Sequence, residues 1–211
     1  MPRPRFAKLP EAQRETILRA AVAEFAAYGF ADASLNRIIE AAGISKGSLY
    51  YYFDGKEDLY AHVARQALTG LLEREGPFAV PSTAADPDAF WDVLTDYYLR
   101  LMRALLADPV VAALVRGWIV AAGNPELAEV QRELEQTGLP WFLTVITVGQ
   151  QIGAVRTDLP SDLLVAVVFG MGQAMDVWLI GSGAGQGGAA VMPVEEVVPA
   201  LVGMIRRVLQ P

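Results

Sequence analysis

The chain has 211 residues, 53% of them hydrophobic, with no cysteine and a single histidine. Such a fraction suffices for a packed core and argues against disorder, while the missing cysteine excludes disulfides, thiolate zinc sites and thiol nucleophiles together and suits a reducing cytoplasm. Net charge is −7, yet residues 1–60 are neutral, with Arg3, Arg5, Lys8, Arg14, Arg19, Arg37, Lys46 and Lys56 matching eight acids; the acidic excess lies downstream, and the basic extreme N-terminus leaves the head able to meet phosphate.

In chain order, Met1 to Pro10 carries basic residues without an apolar stretch, so no secretory signal is expected. A first helix is expected over 10–28, where Ile17, Ala21, Phe25 and Tyr28 form an inward stripe and Gly29 ends it. Ser34 caps a helix over 34–42 that turns Leu35, Ile38 and Ile39 to one face. Gly43 then supplies a left-handed turn, and Ser45 caps a helix over 45–52 whose inner side is Ile44, Leu49 and Phe53. Its open side offers Lys46, Gly47, Ser48, Tyr51 and Tyr52.

Two short helices joined by a glycine turn, the second with small, basic and aromatic donors on its free face, have what a recognition helix needs in a major groove. Gly47 lets the backbone approach, Lys46 can reach guanine acceptors or phosphate, Ser48 donates to either, and tyrosine hydroxyls donate to phosphate. Residue types alone leave ordinary core packing open as the alternative. Asp54-Gly55-Lys56-Glu57 reads as a capping box that opens a helix over 55–75, with Lys56 beside its N-terminus.

Further on, Asp86-Pro87, Asp108-Pro109 and Asn124-Pro125 open helices over 87–106, 109–121 and 125–150, the last expected to kink or break at Gly138 and Pro140. Ser161-Asp162 opens 161–180, and Pro193 with Glu195 and Glu196 opens 194–209. The result is an all-α chain of about nine helices. The run Leu163 to Ile180 nears membrane-spanning length, but Gln173 and Asp176 within it favour a helix buried against protein. Gly181 to Ala190 is expected as a mobile loop; Gly183, Gly185 and Gly188 match a dinucleotide-binding spacing only on paper, since no strand precedes them.

Trp91, Tyr97, Tyr98, Met102, Trp118, Trp141, Phe142, Met171, Met175 and Trp178 are either ordinary core or walls of an apolar effector cavity. Asp176 either pairs with an arginine such as Arg116 or serves a ligand. Leu163, Val167, Gly170, Ala174 and Val177 make a small or branched flank suited to close helix approach, within the chain or between copies. His62, on the fourth expected helix, has no flanking nucleophile pattern, so catalysis is not expected. Asp92 and Asp96 read as a solvated face, and neither a metal nor a cofactor is expected.

The stretch Ser34-Leu35-Asn36-Arg37-Ile38-Ile39-Glu40-Ala41-Ala42-Gly43-Ile44-Ser45-Lys46-Gly47-Ser48-Leu49-Tyr50-Tyr51-Tyr52-Phe53, followed by Lys56 and Leu59, resembles the DNA-binding signature of TetR-family transcriptional regulators over residues 12–60. Ser34 and Ile39 depart mildly from the usual pattern. Residues 152–158, Ile-Gly-Ala-Val-Arg-Thr-Asp, are similar to the family's linker into its dimerisation helices. The resemblance implies a three-helix helix-turn-helix DNA-binding domain over 1–54, then a helical effector-binding and dimerisation domain over 55–211. It implies that Asn36 and Arg37 face phosphate or a groove edge, that Lys46, Gly47, Ser48 and Tyr51 enter the major groove next to Ser45, and that Tyr50, Tyr52 and Lys56 hold the DNA backbone. The function so implied is a cytoplasmic, non-enzymatic repressor without membrane association. It would bind a palindromic double-stranded operator as a homodimer through its last two long helices, and a small apolar or amphipathic effector would release it. An effector-dependent activator and a helical protein-binding adaptor are the alternatives.

Overall fold

The computed structural model describes residues 2–76, 80–120, 125, 127–181 and 193–211, with side chains described outside 120, 129–138 and 181. Among the described residues there is no strand. The helices are α1 Pro4–Ala7, α2 Glu11–Asp32, α3 Leu35–Ala42, α4 Lys46–Tyr52, α5 Lys56–Glu75, α6 Pro87–Ala107, α7 Pro109–Val120, α8 Ala128–Ile152, α9 Ser161–Asp176, a π-helical extension Val177–Gly181, and α10 Val194–Leu209. All nine expected helices are present; α1, four residues long, is too short to leave a periodic signal.

Side-chain capping explains four of the helix starts, Ser34 and Ser45 before α3 and α4 and two more farther on. Asp86 accepts the N–H of Ala89 at 2.8 Å and Asp108 that of Val111 at 3.1 Å, each just before a proline at the first helical position. Four expectations change. Gly29, at φ 68° and ψ −175°, breaks the helical geometry as anticipated, but the chain resumes a further turn to Asp32. Tyr28 is 52% exposed and not part of the inward stripe. Pro140 sits inside α8, which runs from Ala128 to Ile152 without a break: a proline removes one backbone hydrogen bond, and the helix continues past it. Finally, α9 is headed by Pro160 with no side-chain cap; Ser161 Oγ instead donates to Gln150 Oε1 at 3.3 Å. The glycine stretch 182–190 lies outside the described residues.

The chain divides into two compact units. The first comprises Met1–Leu71 and Asp108–Gln131, so α7 and most of α5 join the N-terminal helices. Its core is Ile17, Ala21 and Phe25 from α2, Ile38 from α3, Leu49 from α4, Phe53, and Leu59, Tyr60 and Val63 from α5, with Leu114 from α7. Each large apolar side chain among them contributes about 1.5–3 kcal/mol by burial. Tyr60 brings its one polar atom with it: the hydroxyl donates to the Leu114 carbonyl at 3.1 Å, and Gly117 leaves the room, since a Cβ there would lie 2.6 Å from Tyr60 Oη. Burial pushes the Tyr60 hydroxyl well above the usual tyrosine range.

In the second unit, Leu72–Ala107 and Arg132–Pro211, α6 packs on α10, and Phe90 and Trp91 of the one and Val198 and Val202 of the other are buried. Exposed ion pairs of Arg103 with Glu195 (3.0 Å) and of Arg206 with Asp88 run along that seam. The turn after α8 is held by Trp91, whose indole N–H donates to Ala154 O at 3.3 Å. Arg156 beyond it pairs with Asp158 and donates its backbone N–H to Leu209 O at 2.6 Å.

Gly43, at φ 64° and ψ 30°, makes the left-handed turn that aims α4 away from α3. Nothing lies within 4 Å of a Cβ built there, so Gly43→Ala isolates the backbone cost. It is expected to destabilise the chain by about 1–2 kcal/mol, read from urea unfolding, with no new steric clash to confound it.

Candidate nucleic-acid interface

Which face of α4 is open follows from what the core takes. Leu49 and Phe53, each 1% exposed, fix one side, and Ile44 packs partly buried beside them. Lys46, Gly47, Tyr50 and Tyr51 remain exposed on the other side. Ser45 Oγ accepts the Ser48 backbone N–H at 3.0 Å, which caps the helix, and lies 2.8 Å from Ser48 Oγ. Two hydroxyls so joined use one hydrogen between them and keep one O–H for an outside acceptor.

The other proposed contacts divide into exposed and engaged groups. Asn36 is exposed on α3. Arg37 is exposed but held: its Nε donates to Glu24 Oε1 at 2.8 Å, Nη2 donates to Asp32 O at 3.0 Å, and the guanidinium lies 4.4 Å over the Tyr28 ring. Glu24, 8% exposed, also accepts the Ser34 N–H at 2.7 Å. The hydrogen bond from Arg37 holds the Glu24 carboxyl below the usual glutamate range, and Glu24 in return raises the guanidinium. Lys56 turns its ammonium onto the carbonyls of Ala31 (3.0 Å) and Ala33 (3.4 Å), over the Phe30 ring, and so closes the α2–α3 corner.

The expected capping box is shifted by one residue. Asp58, in place of Glu57, accepts the Asp54 N–H at 3.1 Å, and the Asp54 carboxylate accepts from Arg3. Arg3 also donates its backbone N–H to Tyr52 O at 2.9 Å and a guanidinium N–H to Tyr50 O at 3.2 Å. Tyr52 is half-buried between Tyr51 and Phe6. Sequence reading missed Glu24, although a carboxylate seven residues after Ile17 on the apolar stripe of α2 is a visible signal. It also missed Arg3 and Phe6, which carry no periodic signature.

His62 packs against Phe6 and Phe53, and its buried Nε2 has no hydrogen-bond partner among the described residues; burial lowers its proton affinity. Among the described residues no three His, Asp or Glu side chains gather as metal ligands. Asp92 and Asp96 are exposed, and Asp96 pairs with Arg100 at 3.0 Å.

The effector-wall candidates are scattered. Trp91, Met102 and Met175 are buried in the second unit, Trp141 stacks edge-on with Phe142, which meets Phe169, and Met171 is half-buried. Trp178 is 52% exposed. Trp118 belongs to the first unit, where it packs near Tyr60. Asp176, assigned to an arginine or a ligand from sequence, accepts the Tyr98 hydroxyl at 2.6 Å. Burial pushes its carboxyl up, partly offset by that bond, and burial with the Asp176 charge pushes Tyr98 up.

Residues 17–63 match the bacterial regulatory proteins of the tetR family. The HTH-type transcriptional repressor Rv1474c of Mycobacterium tuberculosis is 31% identical over 157 residues, 72% of this chain and 74% of that protein. The chain belongs to the TetR family.

This TetR-family chain is a DNA-binding transcriptional regulator. It is also 34% identical to the repressor AcnR of Corynebacterium glutamicum over 74% of this chain and 75% of that one. Among solved structures, the regulator FadR of Bacillus subtilis, in complex with stearoyl-CoA, shares the fold at a TM-score of 0.67 and 19% identity, covering 90% of this chain and 96% of its own.

Glu24 gives the TetR-family head a pH signature. A carboxyl whose folded pKa is depressed from 4.5 contributes stability above that value and loses it as pH falls through the folded pKa. Glu24→Gln is expected to cost about 1–3 kcal/mol at neutral pH, with the gap to the parent protein closing in urea melts as pH falls below the ordinary glutamate range and through the lowered folded pKa.

Proposed function

We propose that this regulator is a repressor that binds a palindromic operator as a homodimer and lets go when a small apolar or amphipathic effector enters its body. The observation that carries the reading is the open face of α4, where Lys46, Gly47 and Tyr51 stand exposed while Leu49 and Phe53 seat the helix. On this reading residues 1–54 carry the DNA contacts and 55–211 effector binding and dimerisation, at work in the cytoplasm where the DNA is. Lys46, Gly47, Ser48 and Tyr51 meet base edges, Ser45, Asn36 and Tyr50 meet phosphate, and Arg37, Tyr52 and Lys56 act mainly by holding the helices that present them.

Dimerisation is supported by α9. Leu163, Val167, Gly170, Ala174 and Val177, spaced at three and four residues, are all exposed in the single chain, as are Met204 and Val208 on α10. Only 28% of the apolar stretch within Ser161–Ile180 is buried in the single chain, so burial of this helix against protein requires cover from outside that chain. A second copy, laying its own last two long helices on this face, covers it without a membrane. Two recognition helices must then sit roughly 34–36 Å apart to enter successive grooves, and an effector that favours another spacing weakens binding. Aromatic and methionine side chains of the second unit, Trp91, Tyr98, Met102, Trp141, Phe142, Met171, Met175 and Trp178 with Asp176, supply walls for such a ligand; Trp118 drops out of that set. The complex of the related fold with stearoyl-CoA is consistent with an amphipathic effector.

Genome-fragment selection with the purified protein would supply the duplex. Lys46→Ala is expected to weaken binding to it by about 1–3 kcal/mol; unchanged affinity would remove α4 as the reader. Val167→Asp is expected to yield monomers by light scattering and to reduce operator affinity along with them, whereas a persistent dimer would place the interface elsewhere.

A further inference from the structure

The segment before α2 is built onto the reading helix. Arg3 joins it at the end where carbonyls lack helical partners: its backbone N–H and guanidinium satisfy Tyr52 O and Tyr50 O, and its charge meets Asp54. Two residues on, the Arg5 guanidinium lies 4.4 Å over the Tyr51 ring. Phe6 anchors the whole, 4% exposed, with its ring 4.8 Å from Phe53 and 5.9 Å from Tyr52. Tyr51 in turn meets Tyr52 edge-on at 5.5 Å. Arg5 and Phe6, adjacent in sequence, thus embrace the pair Tyr51 and Tyr52 from outside and inside.

We infer that residues 3–6 form a clasp on α4, and that Arg5 is a positioning residue that fixes the Tyr51 ring for base reading. This rests on the proposal that the open face of α4 reads DNA. Tyr51 is 48% exposed on a seven-residue helix and meets Tyr52 only edge-on, so its ring keeps rotamer freedom that a group stacked on its face removes. Arg5 supplies the stack while remaining exposed itself, so its loss should loosen the ring without disturbing the core. The clasp accordingly predicts an effect on sequence discrimination and not only on attraction to phosphate.

The test is a double-mutant cycle on the intact protein, measured with a duplex selected from genomic fragments and with a random duplex of equal length, each at two salt concentrations. Arg5→Ala is expected to lower affinity for the selected duplex roughly two- to fivefold, with random-duplex affinity and salt slope unchanged. In a Tyr51→Ala background the same change should add nothing. Unchanged thermal melting of Arg5→Ala checks that the fold is intact, and a Phe6→Leu variant tests the anchor at smaller cost. Additive effects of Arg5 and Tyr51, or equal losses on both duplexes with the salt slope reduced by about one, overturn the inference and make Arg5 a phosphate contact. Lys46→Ala, run in parallel, separates the two levels: if it weakens selected-duplex binding and Arg5→Ala does nothing, only the clasp falls, whereas silence of both removes α4 as the DNA reader.

Discussion

Everything at the N-terminal end depends on the burial of Leu49 and Phe53. A seven-residue helix is far below the length at which helices persist alone in water, so α4 exists because its apolar side is seated among Ile17, Phe25, Ile38 and Leu59. That seating also decides orientation. With two side chains fixed inward, Lys46, Gly47, Tyr50 and Tyr51 have no direction left but outward.

Charge in this unit is arranged by the same logic. The neutral total of residues 1–60 conceals a division between cations that brace the scaffold and a cation that stands on the open face. Arg3 closes the end of α4, Arg37 ties α3 to α2 through Glu24, and Lys56 ties α5 to the corner at Ala31 and Ala33. Lys46 is on the face itself. Each brace satisfies backbone carbonyls that a helix end leaves without partners, so the positive charge that suits a DNA-facing surface also holds that surface in shape.

The second unit is governed by a different constraint, an excess of apolar helix surface. Leu164, Val165, Met175, Leu179 and Ile180 occupy one side of α9 and its π-helical extension, which leaves a second apolar side uncovered in the single chain. Asp176 is tolerated there because the Tyr98 hydroxyl meets it and burial favours its neutral form. On the proposed reading, a second copy covers this surface, which would account for a membrane-like composition in a DNA-binding regulator.

Much of this was legible in the residues. Caps followed by proline at Asp86 and Asp108, the glycine turn at Gly43, and the spacing of Ile17, Ala21 and Phe25 act within a turn or two of helix, so the chain alone determined the nine longer helices, their order and the exposure of Lys46, Gly47 and Tyr51 on α4, but not the half-burial of Tyr52 against Phe6. Side chains that choose partners across the fold were not legible. Arg37 takes Glu24 thirteen residues away, Arg3 takes Asp54 at a separation of 51, and Tyr98 takes Asp176 at 78. Long or polar side chains have many rotamers and many candidate partners, and only the packing of the helices selects among them; short-range hydrogen bonds and helical periodicity leave no such choice.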